Sequence, residues 1–161
     1  MRVKQTTISY LAGLIDGEGY VGIKKNLTSV RNGHSKSPLY HERIQIRMVN
    51  EEAIKLFKET FGGNYYFEKK KTNNSLTKKR MYCYQISDLS AANALKLLLP
   101  YLRIKREQAK ICLKLHRNKR SKLAKKRGNL GGRIKGKGLS MSQKILNYRD
   151  NLWKQIKELN K

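Results

Sequence analysis

The fold class predicted is α+β: a four-stranded, saddle-forming antiparallel sheet packed on helices in the order αββαββα, with a C-terminal helical extension. Three observations predict it. Four segments alternate apolar and polar residues with a period of two, near Tyr20–Asn26, Tyr40–Val49, Tyr65–Lys71 and Met81–Ser87. The stretches between and around them carry apolar residues at helical spacing. No segment repeats, so the chain is one unit rather than an array.

Each element has its own signal. A first helix runs from a Thr6 or Thr7 cap to about Asp16, with Ile8, Leu11, Ala12 and Ile15 on one stripe. The strand after it turns Val21, Ile23 and Lys25 one way and Tyr20, Gly22, Lys24 and Asn26 the other. Residues 27 to 39, with Asn32-Gly33 and Pro38, read as a long connection. In the second strand Ile44, Ile46 and Met48 alternate with His41, Arg43, Gln45 and Arg47. Asn50 caps a helix through Ile54, Phe57 and Phe61, which Gly62-Gly63 stops. The third and fourth strands flank the polar turn Thr72–Lys79, and Tyr82, Tyr84 and Ile86 share a face. A helix from about Ser90 to Leu99 ends before Pro100, and another begins near Ile104. Residues 1–118 form the core domain; 119–161 add a Gly- and Lys-rich arm and a last helix over about 140–159 to that domain.

Composition narrows the partner. Lys and Arg number 37 against 11 acids, a formal charge of +26. That excess exceeds what solubility needs and implies a polyanion, with nucleic acid leading. A hydrophobic content of 39% is too high for a disordered basic tail. No apolar run approaches a membrane span and no signal-peptide pattern opens the chain, so no membrane partner is expected. Cys83 and Cys112 form no CxxC pair; reduced thiols are expected, Cys112 in a core and Cys83 on a strand.

Chemistry concentrates at Leu11-Ala12-Gly13-Leu14-Ile15-Asp16-Gly17-Glu18-Gly19. Gly13 and Gly17 strip one helix face of bulk, so a second helix can approach backbone to backbone. An acid just beyond that contact would lie beside its counterpart. In a chain this basic, paired carboxylates point to metal ions acting on phosphodiesters.

This nine-residue run resembles the signature of the LAGLIDADG homing endonucleases, with Gly-Glu where the name has Ala-Asp. The segment Leu98 to Ala109, with Pro100-Tyr101-Leu102 and then alternating basic and apolar residues, resembles the family's entry into its later helix. The resemblance implies a site-specific double-strand DNA endonuclease, cutting a long, nearly palindromic site across the minor groove with short 3′ overhangs. It implies Glu18 as metal ligand and catalytic acid, Lys105 as the pocket lysine, and Asn50 at the position that orders water. Asp16 takes a supporting role in the turn. One motif per chain implies a homodimer joined through Gly13 and Gly17. A hard divalent cation, magnesium, suits the oxygen ligands. The open sheet face would read the major groove through Lys24, Asn26, Arg43, Gln45, Arg47, Tyr66, Glu68, Lys70, Cys83 and Gln85. The family also contains maturases that bind intron RNA, and a catalytically silent DNA-binding protein would share the same basic sheet; both readings stay open here. An intracellular setting is expected, in a chloroplast or mitochondrial matrix or a bacterial cytoplasm.

Overall fold

The first helix, α1 (Gln5–Glu18), starts earlier than a threonine cap would allow. Lys4 holds the N-cap position with extended backbone, and no side chain caps the helix. Ile8, Leu11, Ala12 and Ile15 form its buried stripe, as the spacing predicts. The helix continues past Asp16 to Glu18 and stops because Gly19 turns to extended backbone while its N–H returns to the Ile15 carbonyl. A Cβ on Gly19 would sit 2.8 Å from the Ile15 Cα, so only glycine permits so abrupt an exit. The computed structural model describes residues 4–27, 37–68, 81–120 and 141–161.

From Gly19 the chain forms β1 (Gly19–Asn26) and β2 (Leu39–Met48), then α2 (Glu51–Phe61), β3 (Asn64–Phe67) and β4 (Tyr82–Ser87). Helices α3 (Asp88–Leu98), α4 (Arg106–Arg120) and α5 (Gln143–Leu159) complete the described chain. The strands make one antiparallel sheet in the order β1-β2-β4-β3. Asn50 caps α2 as expected, its Oδ1 accepting the Ala53 N–H at 3.0 Å. Gly62 and Gly63 follow with φ of 75° and 82°, a region that L side chains rarely adopt.

Boundaries differ where a tertiary contact overrides local pattern. β3 spans Asn64–Phe67, and residues 69–71 of the expected strand lie outside the described residues. α3 leaves β4 directly at Asp88, whose φ is 55°, instead of starting at Ser90. The connection over 28–36, the turn Thr72–Lys79 with its flanks, and the arm over 121–140 lie outside the described residues.

Register separates two sheet faces. Val21, Ile23, Tyr40, Ile44, Ile46, Tyr84 and Ile86 are buried against the helices with Leu11, Phe57, Leu95 and Leu102. Each fully buried side chain of this size stabilises the fold by roughly 1.5–3 kcal/mol. Cys112 is buried on the same side, its thiol donating to the Gly22 carbonyl. Glu42 breaks the apolar pattern: it is fully buried, and Lys119 Nζ reaches its carboxylate at 2.7 Å. α5 packs against α4 and β1. There Asp150 accepts from Lys25 and from the Tyr40 hydroxyl, both at 2.5 Å, and Lys25 lies 5.0 Å from the Trp153 ring centroid. No helix among the described residues is long and apolar enough to cross a membrane.

Candidate nucleic-acid interface and active centre

The last turn of α1 organises three charged residues. Both carboxylate oxygens of Asp16 accept backbone N–H groups, from Arg103 at 2.6 Å and from Lys105 at 2.9 Å. The Asp16 carbonyl, left free where the helix ends, accepts the Lys105 ammonium at 2.6 Å. A cation at a helix C-terminus also meets the negative end of the helix dipole. These bonds hold residues 103–105 against α1 and delay the start of α4 to Arg106. The sequence thus supplied both residues, but their pairing across 89 positions was not legible in it.

Glu18, two residues on, is exposed and accepts no hydrogen bond among the described residues. It is the carboxylate left uncommitted at this end of the helix. Asn50 caps α2 and makes no hydrogen bond to Glu18 or Lys105. It lines a groove of about 430 Å³ with Tyr10, which lies two helical turns before Glu18. The structure joins Asp16 to Lys105 by hydrogen bonds, with Glu18 two residues beyond Asp16 in the chain and Asn50 at the cap of α2. Among the described residues no three His, Cys, Asp or Glu side chains converge on a point.

Gly13 and Gly17 lie on the exposed side of α1. A Cβ at either would meet nothing within 4 Å, so neither glycine serves packing inside this protomer. Tyr10, half exposed, and Leu14 extend the same stripe at helical spacing. Ile104, 71% exposed, flanks the stripe beside Lys105. Among the described residues, this apolar helix face with two open notches has no partner.

The other sheet face is polar and open. Its rungs read Tyr20–Gln45–Gln85–Asn64, Gly22–Arg43–Ser87, Lys24–His41, Asn26–Leu39 and Arg47–Cys83–Tyr66. All the described residues expected on that face are there, and Tyr20, His41, Asn64 and Ser87 join them. Strand alternation placed Tyr20 and His41 on this face without marking them as candidate contacts; register was needed to align them with the others. Two expectations change. Cys83 is fully buried beneath the Gln45 amide, 3.4 Å away, and the Tyr66 hydroxyl, so it presents no surface to a groove. The bond to Cys83, with burial, raises the Tyr66 phenol above its usual range. Glu68 pairs with Arg47, which mutes both as independent contacts. Lys70 lies outside the described residues. At the sheet's outer end His41 Nδ1 is 2.9 Å from Asp88, which also accepts from Lys119 at 2.5 Å.

The αββαββα arrangement around one antiparallel sheet is the fold of solved homing endonucleases, one of them a LAGLIDADG homing endonuclease. No protein-family model matches this chain, and no curated protein matches it. Solved structures do. The homing endonuclease I-CvuI, in complex with its target in the presence of calcium, superposes with a TM-score of 0.55 at 20% identity, over 97% of this chain and 96% of that one. The archaeal intron-encoded homing endonuclease I-Vdi141I, complexed with DNA, gives 0.56 at 16% identity over 96% and 97%. The LAGLIDADG homing endonuclease I-LtrWI, bound to target DNA, gives 0.53 at 14% identity, and the match spans 90% of this chain but 49% of that one.

Proposed function

We propose that two copies of this chain form a site-specific DNA endonuclease that makes a double-strand break across the minor groove. The observation that carries this reading is the end of α1. An uncommitted Glu18 follows a helix face whose glycines are unused in the protomer, beside a lysine held in place by Asp16. Isologous packing of two α1 helices brings two Glu18 side chains to the twofold axis. The match to half of I-LtrWI accords with one copy being half of the working unit.

The residues fit a hard divalent cation only as a pair: two Glu18 carboxylates together with phosphate oxygens make the kind of shell magnesium takes. Such a cation, when bound, supplies Lewis-acid charge to the scissile phosphodiester. Lys105 contributes fixed positive charge where the pentacoordinate phosphate gains negative charge. Asp16 keeps that ammonium at the helix end. Solvated phosphates on the two strands come close only across the minor groove, so closely spaced acids favour a staggered cut with short 3′ overhangs.

Recognition falls to the open sheet face. Same-face residues on a strand advance by ~6.8 Å, about two base-pair steps. The five outward residues of β2 therefore track about eight base pairs per protomer, and the dimer prefers a long, nearly palindromic site. Arg43 suits a guanine edge, and Asn26, Gln45 and Gln85 suit adenine.

The decisive experiment incubates purified protein with magnesium and an intron-free target. The wild type cuts both strands; Glu18→Gln binds that target with unchanged affinity and leaves it intact. Cutting by the variant at the wild-type rate removes Glu18 from the chemistry.

A further inference from the structure

The side of the molecule away from the open sheet carries a groove of about 340 Å³ between α3 and α4, lined by Lys96, Leu113, His116, Arg117 and Arg120. In a chain of +26, cations on a rim are expected and specify nothing. His116 is different. It is 7% exposed, and neither ring nitrogen has a hydrogen-bond partner. Its Nδ1 lies 3.6 Å from the Glu42 Oε1, which is itself without a hydrogen bond, while Lys119 satisfies the other Glu42 oxygen. Buried polar groups are nearly always bonded, so an orphaned imidazole on a groove wall marks a place for an acceptor.

We propose that this groove is a second phosphate site, taking a backbone phosphate of a nucleic-acid strand that crosses the helical side of the protein. Both ring nitrogens of His116 are buried, so on binding the side chain rotates to donate to a phosphate oxygen, while the proton on the other nitrogen strengthens its contact with Glu42. Arg117 and Arg120 lie on the same α4 face as His116 and offer planar forks of N–H donors; Lys96 adds charge from α3. Leu113 gives the groove an apolar wall against which a sugar or base edge can rest. No acid lines it. Burial, and then Lys119, Lys96 and Arg120, hold the imidazole below its usual pKa against the pull of Glu42. The negative charge of an arriving phosphate cancels part of that repulsion and favours the imidazolium. The site is independent of whether Glu18 cuts DNA.

The test follows the imidazole signals of His34, His41 and His116 in the full-length protein by side-chain ¹⁵N NMR at constant ionic strength in chloride. Inorganic phosphate and a single-stranded trinucleotide are titrated separately. Expected is a shift of His116 alone toward the imidazolium, with a rise of about one pH unit in its midpoint at saturation. The trinucleotide should bind at least tenfold more tightly than inorganic phosphate. The double variant Arg117→Ala, Arg120→Ala should weaken both by tenfold or more, while duplex cleavage stays within twofold of wild type. A silent His116, or an unchanged response in the double variant, overturns the site. Equal affinity for the two probes overturns its assignment to nucleic acid.

Discussion

Asp16 shows what a single carboxylate contributes here. It accepts two backbone N–H groups and its own carbonyl accepts the lysine, so one residue sets the distance between the end of α1 and Lys105. In Asp16→Asn only one side-chain oxygen remains to accept, leaving one N–H unpaired. The expected result is a fall in kcat of about tenfold, ~1.4 kcal/mol, with DNA affinity nearly unchanged. Single-turnover kinetics beside a binding isotherm separate the two effects. A loss confined to affinity would assign Asp16 to DNA binding instead. His116 gives a pH dependence. Burial, reinforced by Lys119, Lys96 and Arg120, depresses its pKa, so the unfolded chain binds the proton more readily. Its contribution to stability is complete above the ordinary imidazole value, about 6.5, and is lost as pH falls below that toward the depressed native value. Asp150 is held low by Lys25 and Tyr40, and Asp88 by Lys119 and His41 against the opposing effect of burial. Their contributions persist above the ordinary carboxylate value, about 3.9, and are lost in stronger acid as pH drops through their native values. Urea midpoints in chloride should fall from pH 7.5 to 5.5, and His116→Gln should flatten that interval.

Among the elements, α1 has two jobs that pull against each other. Its buried stripe, Ile8, Leu11, Ala12 and Ile15, belongs to the protomer, whereas Gly13 and Gly17 weaken an isolated helix and fill no internal need. Gly13→Ala adds a Cβ that meets no atom of the chain, so it should stabilise the protomer by about 0.5–1 kcal/mol. The same methyl holds two helices apart. Urea unfolding at low concentration should show the gain, and sedimentation equilibrium should show weaker self-association. Unchanged association would place the dimer contact on another surface. The C-terminal helix, by contrast, is tied to β1 and β2 through Asp150, Lys25 and Tyr40, and through Asn160 to the Val21 carbonyl.

At the scale of the whole molecule, the proposed DNA binding should depend strongly on salt, given a charge of +26 and an open polar sheet. A dimer making about ten phosphate contacts should show a slope near −9 for log affinity against log salt. Fluorescence anisotropy between 50 and 300 mM salt measures it. A shallow slope would mean that the basic excess faces something other than the duplex. The order β1-β2-β4-β3 puts the two longest strands side by side beneath the acid-bearing end of α1.

Much of this was legible beforehand, because periodicity is a local property. Alternation assigned the faces of β1, β2 and β4, Asn50 and Gly62-Gly63 marked both ends of α2, and Gly13 and Gly17 marked the face of α1 that makes no contact among the described residues. Tertiary structure decided what local pattern cannot hold. Asp16 meets Arg103 and Lys105 only when the helix and the distant loop are folded together, and that contact moved the start of α4. Glu42 sits on an apolar face because Lys119 reaches it from another element, and Cys83 lies on the polar face yet is covered by Gln45 and Tyr66. The chain's own residues dictate which way each side chain points; which distant group meets it depends on closing the chain in three dimensions, where long-range partners offset the cost of burying charge.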